Sequence, residues 1–180
     1  YNETMRMVDL FGDIPFFNAG MLSTNGGDYN ASYAEYDDAK EIYTYMLDEL
    51  KSIASELNTI SLNPGFQASF SAQDIINGGD VDLWKRYTNS LRLRMLTRLS
   101  GVSDFASRAT SEIGEILSNP NQYPVVENND QNIMIDVYDV NTPINSKGFE
   151  QGINSSGWDG NDASEVMINL LKSSNDPRLR

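Results

Sequence analysis

Hydrophobic residues recur at helical spacing in several segments of the chain. In the first, from about Glu35 to Leu57, the apolar positions are Ala39, Ile42, Tyr43, Met46, Leu50, Ile53, Ala54 and Leu57. Their i, i+3, i+4, i+7 spacing predicts an amphipathic helix with one buried stripe. Glu35, Asp37 and Asp38 would lie in its first turn, where carboxylates favour the positive end of the helix dipole.

Two further helices are predicted in the middle of the chain. One runs from about Asp80 to Leu99, after the turn Asn77-Gly78-Gly79. The other runs from about Asp104 to Leu117 and is ended by Asn119-Pro120, because proline cannot continue a helix. A shorter helical turn is expected earlier in the chain, from Asn2 to Leu10.

A fourth helix is predicted from about Ala163 to Lys172. Asp162 would be its N-cap, and Glu165 would reach back to the backbone as in a capping box. Capping also accounts for the oxygen-rich run Asp159, Asn161 and Asp162, which could otherwise suggest Ca²⁺. The EF-hand pattern is not met, so no metal and no cofactor are expected.

Long polar segments separate the predicted helices. Loops are expected at Asn18 to Asn30 and at Thr59 to Ala72, the second of which would join the first two helices. The longest, a loop-rich insertion at about 119–161, contains Ile133 to Tyr138 as a possible strand. Helical hairpins with long polar loops indicate a mainly α protein with helix pairs of the tetratricopeptide kind.

The second helix carries an unusual pair of arginines. If Trp84 marks the buried side and each residue turns about 100°, Arg94 and Arg98 fall within the buried stripe. An unpaired buried charge is very costly, so ion pairs with Asp9 and Asp13 are expected. The alternative is an anion or carboxylate-ligand site built by the two arginines. The core stripe would also hold Trp84, Tyr87, Leu91, Met95 and Leu99, whereas Lys85, Arg86 and Arg92 would point elsewhere.

Composition and charge exclude several classes of function. The 180 residues include 13 Lys and Arg against 26 Asp and Glu, which gives a net charge of −13 and argues against a nucleic-acid partner. Because there is no His and no Cys, histidine-dependent triads, thiol chemistry and His/Cys metal sites are impossible within the chain. The first residue is Tyr1 rather than Met, and we expect the sequence to be a segment of a longer protein.

Five sequence blocks resemble a known family. They are Leu10-Phe-Gly-Asp-Ile-Pro15, Tyr36-Asp-Asp-Ala-Lys-Glu-Ile-Tyr43, Gly79-Asp80, the run from Trp84 to Arg98, and Asn175-Asp-Pro-Arg-Leu179. In this order and spacing the chain resembles the SusD/RagB-like outer-membrane lipoproteins of Bacteroidetes. Members are typically more than twice as long, so the chain resembles an interior portion.

The resemblance implies a mainly α fold, in which four tetratricopeptide-like helix pairs support a loop-rich binding region. The chain, 1–180, would be a single SusD-like domain segment, with a helical scaffold at about 1–118 and 162–175. The resemblance also implies a cell-surface protein that is no enzyme. It would capture glycans, or in some members peptides, for a SusC-like TonB-dependent transporter. The lipidated Cys expected near the mature N-terminus is absent from this segment.

The candidate ligand-binding residues are loop aromatics and their polar neighbours. Sugar rings stack on exposed aromatic side chains, and Trp158 lies among small and polar residues with Asn154 and Asp159 beside it. Tyr138 and Tyr123 are further candidates. Trp158 could instead plug its loop onto the scaffold.

Two other classes of function compete with glycan capture. One is a helical-repeat scaffold that binds only proteins, although such scaffolds keep their connections short. The other is a glycosidase with a pair of catalytic carboxylates. With 26 acidic residues some pair will have suitable spacing by chance, so abundance alone does not favour catalysis.

Overall fold

The structure is a computed structural model that describes residues 1–134 and 164–178. The chain divides into two compact units, Tyr1–Met134 and Ile135–Arg180. Across the described residues the regular structure is helical, with no strands, so the predicted mainly α fold is confirmed. The helices are α1 (Asn2–Phe11), α2 (Ala39–Thr59), α3 (Pro64–Gln73), α4 (Val81–Leu99), α5 (Ser103–Ser118) and α6 (Glu165–Ser173), with a 3₁₀ turn at Asn129–Gln131.

The start of α2 differs from the prediction. The helix begins at Ala39, and the Asp38 side chain caps it by accepting hydrogen bonds from the Lys40 and Glu41 amides at 2.8 and 3.2 Å. Asp37 lies outside the helix because its carboxylate accepts hydrogen bonds from the backbone amides of Phe16 and Phe17 at 2.7 and 2.9 Å. The prediction that Glu35 and Asp37 lie in the first turn is therefore wrong.

The predicted loop between the first two long helices contains α3. Asn63 caps this helix by accepting from the Phe66 amide at 2.9 Å, and Pro64 occupies its first turn. α3 has no buried residue, which explains why its hydrophobic pattern is weak. Its Gln67 side chain donates to the carbonyl of Gly79 at 3.0 Å and so ties α3 to the turn before α4.

The α4 helix is the centre of the first unit, because it packs against both α2 and α5. Asp80 caps it by accepting from the Asp82 and Leu83 amides, close to the predicted start. The core of the unit consists of Met5, Val8, Ile14, Ile42, Tyr43, Met46, Leu47, Leu50, Leu91, Met95, Leu96, Leu99, Phe105, Ala109 and Ile116. The α1, α4 and α5 helices match their predicted ranges to within about two residues.

In the second unit the structure describes residues 164–178. The α6 helix begins at Glu165 with Ser164 as its N-cap, so the prediction that Asp162 is the cap is wrong. Ser164 has the extended backbone of an N-cap residue, which delays the helix by two residues relative to a start at Ala163. The predicted strand lies mainly outside the described residues, although Ile133 and Met134 have no regular structure. That residues 1–180 form a single SusD-like domain segment stays a prediction.

Candidate functional site

Most of the predicted ligand-binding residues lie outside the part of the chain that the structure describes. Trp158, Asp159, Asn154 and Tyr138 all belong to residues 135–163, so their role stays a prediction. Tyr123 lies within the described residues.

Tyr123 belongs to a polar network beneath the surface of the first unit. Its hydroxyl donates to Glu115 Oε1 at 2.9 Å, and its ring centroid lies 5.7 Å from the Arg92 guanidinium carbon. Burial, and then the hydrogen bond to Glu115, raise the pKa of Tyr123. Burial alone would raise the pKa of Glu115, but hydrogen bonds from Tyr123, Lys51 and Arg92 outweigh it, and the pKa of Glu115 is lowered. Through these contacts Tyr123 packs against α4 and α5 and stabilises the helical scaffold.

Arg92, rather than Arg94, is the buried arginine of α4. Arg92 is fully buried, and its Nε and Nη2 donate to Glu112 Oε2 at 3.0 and 2.6 Å. Nη2 also donates to Glu115 Oε2 at 3.1 Å. Arg108 donates to the other oxygen of Glu112 at 2.8 Å. Arg94 and Arg98 are both exposed, so their predicted place in the buried stripe is wrong.

The error has a geometric cause. The buried residues of α4 centre about 60° from Trp84, which places Arg92 inside the buried sector and Arg94 outside it. Because α4 packs against two helices, its buried surface is broader than a single stripe. Trp84 is itself only half-buried and lies at the margin of this surface, where its Nε1 donates to Asp74 at 2.8 Å. Tyr87 packs against the core.

The expected partners of the arginines have different roles. Arg98 Nε lies 2.6 Å from Asp9 Oδ1, which is one of the ion pairs expected, although the Arg98 side chain is 56% exposed. Tyr43 also donates to Asp9 from its hydroxyl. Burial, and then this hydrogen bond, raise the pKa of Tyr43. Asp13 instead accepts from the backbone amide of Ala39 at 2.9 Å, at the start of α2.

A polar face of α2 carries an exposed aromatic side chain that the sequence argument missed. Glu41, Thr44, Tyr45 and Asp48 recur at i, i+3, i+4, i+7 and line a shallow groove of about 560 Å³ together with Asp38 and Lys40. Three aromatic residues surround Tyr45 edge to face, with ring centroids 5.4 Å away for Phe17, 5.8 Å for Phe16 and 6.3 Å for Tyr1. The sequence signal was an aromatic residue centred on an otherwise polar helix face, downstream of Pro15-Phe16-Phe17.

A second groove, of about 530 Å³, follows α4 and the segment after Pro124. Its lining combines three apolar residues, Leu93, Val125 and Val126, with the polar and charged residues Ser90, Arg94, Thr97 and Arg98. The extended segment is fixed to α4 because the Val126 amide donates to Ser90 Oγ at 2.8 Å. This is where the two arginines of the sequence prediction lie, but Arg98 is already paired with Asp9.

Neither a metal-binding cluster nor a membrane-spanning helix occurs in the described residues. Among residues 1–134 and 164–178, no three acidic side chains are grouped closely enough to hold a metal ion. The helices in these ranges are also too short or too polar for any of them to span a bilayer. The acidic run around Asp159 lies outside these ranges.

Comparison with known proteins identifies the family. Residues 3–180 match the SusD-like family described as starch-binding and associating with the outer membrane. A crystal structure of a SusD homologue from Bacteroides thetaiotaomicron superposes with a TM-score of 0.67 at 26% sequence identity, over 97% of this chain. The chain spans 31% of that homologue's length. No curated protein matches the chain. Since the family match extends over nearly every residue, the chain belongs to the SusD-like family.

Proposed function

We propose that the chain is part of a glycan-capturing subunit of a nutrient uptake complex at the cell surface. The observation that carries this proposal is the match of residues 3–180 to a family described as starch-binding. The fold shared with a SusD homologue supports it, because the helical structure superposes on that homologue with a TM-score of 0.67 over 97% of the chain. The ligand would be an oligosaccharide, held by stacking and hydrogen bonds without any chemical step.

The proposed primary site is the loop around Trp158, with Asn154, Asp159 and Tyr138 as its polar and aromatic neighbours. An indole ring covers the apolar face of a sugar, and amide and carboxylate groups bind its hydroxyls. Tyr123 is omitted from this proposed site, because its hydroxyl and its ring are both engaged in the network with Glu115 and Arg92.

The proposed partner is a SusC-like TonB-dependent transporter in the outer membrane. The family description, which includes association with the outer membrane, supports this location. A lipid anchor outside residues 1–180 would hold the protein at the cell surface. The captured oligosaccharide would then pass from the binding loops to the transporter.

The test is affinity electrophoresis of the full-length protein in gels that contain soluble starch, β-glucan or xylan. We expect at least one polysaccharide to retard the protein, and Trp158→Ala to abolish most of the retardation. Tyr33→Ala is the control, since Tyr33 lies outside the proposed site and its exposed side chain can be removed without disturbing the core. If no glycan retards the protein while the transporter binds it tightly, the protein would be a protein-binding scaffold and the proposal would fail.

A further inference from the structure

We call one surface of α2 the Tyr45 face. It consists of Glu41, Thr44, Tyr45 and Asp48 together with the adjacent Phe17. We propose that the Tyr45 face is a binding subsite for a neutral sugar ring, separate from the Trp158 loop. This inference rests on the proposed glycan function, because it names one place on the scaffold where an oligosaccharide would bind.

The aromatic part of the Tyr45 face is exposed and held in place. Tyr45 is 39% exposed and Phe17 is 43% exposed, so a ligand can cover both rings. The two rings meet edge to face at 84° with centroids 5.4 Å apart, and Phe16 contacts each of them. The backbone beneath Phe16 and Phe17 is fixed by the Asp37 carboxylate, which accepts both amides. A ligand would therefore meet a surface that needs little ordering on binding, which favours affinity.

Polar groups flank the ring at the spacing of helical turns. Glu41 lies one turn before Tyr45 and Asp48 about one turn after it, so their Cα atoms span about 10 Å along the axis of α2. Asp48 Oδ1 is held by Arg108 at 2.6 Å, which orients the carboxylate and leaves its second oxygen for a ligand. Thr44 donates its hydroxyl proton to the Lys40 carbonyl at 2.8 Å, which leaves its oxygen as an acceptor. An aromatic surface between hydrogen-bond acceptors matches a sugar ring, which has an apolar face and hydroxyl donors at its edge.

The charge of the groove selects the ligand class. Asp38, Glu41 and Asp48 contribute three carboxylates, whereas the cation in the lining, Lys40, has its ammonium 2.7 Å from Asp104. A sugar acid would bring further negative charge to these carboxylates and be repelled. A protein partner is also disfavoured, because charged residues are depleted from the centres of protein interfaces. A neutral oligosaccharide brings no further negative charge to these carboxylates and offers hydroxyl donors to them.

The experiment is isothermal titration of the full-length protein with neutral malto-, cello- and xylo-oligosaccharides, and with a polygalacturonate oligomer of equal length. We expect a neutral oligosaccharide to bind and Tyr45→Ala to weaken its affinity by about tenfold, the loss typical of one stacking contact. Phe17→Ala should also weaken it, whereas Tyr45→Phe should stay within about twofold of the wild type, because the ring is kept. Tyr33→Ala is the matched control and should leave the affinity unchanged, because Tyr33 does not line this groove.

Each other outcome has a definite meaning. Wild-type affinity in both Tyr45→Ala and Phe17→Ala, with binding lost in Trp158→Ala, would overturn the subsite and leave the glycan function intact. Equal affinity for polygalacturonate would overturn the neutral ligand class. Self-association that depends on Tyr45, seen by sedimentation velocity without any effect on sugar affinity, would assign the face to a protein contact and overturn the proposal. If Tyr45→Ala fails to fold by circular dichroism, Phe17→Ala decides the matter, because weakened binding would support the subsite and wild-type affinity would overturn it.

Discussion

The buried arginine of α4 gives the sharpest test of how this scaffold is held together. In Arg92→Met the apolar volume of the side chain is roughly kept, but Glu112 loses two hydrogen bonds and Glu115 loses one. Removing one partner of a buried ion pair typically costs about 3–5 kcal/mol. The lower end applies here, because Arg108 still binds Glu112 and Lys51 still binds Glu115. We therefore expect a loss of about 3 kcal/mol in the free energy of unfolding.

Urea denaturation followed by circular dichroism measures this loss. For an m-value of about 2 kcal/mol/M, the midpoint should fall by about 1.5 M. The control is Arg94→Met, two residues along the same helix, which should stay within about 0.5 kcal/mol of the wild type, since Arg94 is exposed. The opposite ranking of the two variants would show that the wrong arginine has been assigned to the interior.

A double variant distinguishes the cost of leaving Glu112 without its partner from the net stabilisation that the ion pair contributes. Arg92 Nη1 has no hydrogen-bond partner in the described part of the protein, so the cost of burying this guanidinium is only partly offset. Arg92→Met combined with Glu112→Leu should therefore recover most of the stability lost in the single variant, because an apolar pair leaves no buried charge. Arg108 keeps its pair with Asp48 at 2.6 Å. A double variant as unstable as Arg92→Met would refute this reasoning.

Two further predictions concern pH and backbone geometry. Since the pKa of Glu115 is lowered in the folded state from its ordinary 4.5, its ionised form contributes stability above pH 4.5 that is lost as the pH falls through the folded value. Urea midpoints between pH 7 and pH 3 should show this loss, and it should be smaller in Glu115→Gln. Gly79 has φ of +81°, and an added Cβ would lie 2.7 Å from Ser71 Cα, so Gly79→Ala should cost about 2 kcal/mol or more in thermal unfolding. Gly78→Ala, where φ is +59° and nothing lies within 4 Å, should cost only about 1 kcal/mol, and equal losses would contradict the predicted clash.

Local signals in the sequence were sufficient for much of the scaffold. The range of α4 follows from the Asp80 cap and the apolar spacing after it, and α5 ends where Asn119-Pro120 predicts. The predicted start of α2 was wrong because the Asp37 carboxylate accepts hydrogen bonds from the amides of Phe16 and Phe17, which are distant in sequence. A local capping rule cannot distinguish such a tertiary acceptor from an N-terminal helix residue.

The helix α3 and the buried arginine illustrate two other limits. α3 buries no side chain, so periodicity carries little information about it, although Asn63-Pro64 was a readable start signal. The choice between Arg92 and Arg94 depended on which side of α4 is buried, and packing against two helices decides that. A sequence shows one helix at a time and does not show how many neighbours cover it.

The two candidate sites differ in how much of each could be predicted from the sequence. The Trp158 loop was selected by composition, and it lies outside the described residues. The Tyr45 face could not be inferred from α2 alone, because Phe16 and Phe17 are brought to it by the Asp37 contact. An aromatic residue on a helix can bind a ligand only when its ring is exposed, and tertiary packing determines that exposure.

Glycan binding is the central claim, and equilibrium titration of the full-length protein with a panel of neutral oligosaccharides tests it most directly. The expected result is saturable binding of at least one neutral oligosaccharide, with little dependence on salt because the ligand carries no charge. No saturable binding to any member of the panel by the folded protein would contradict the claim.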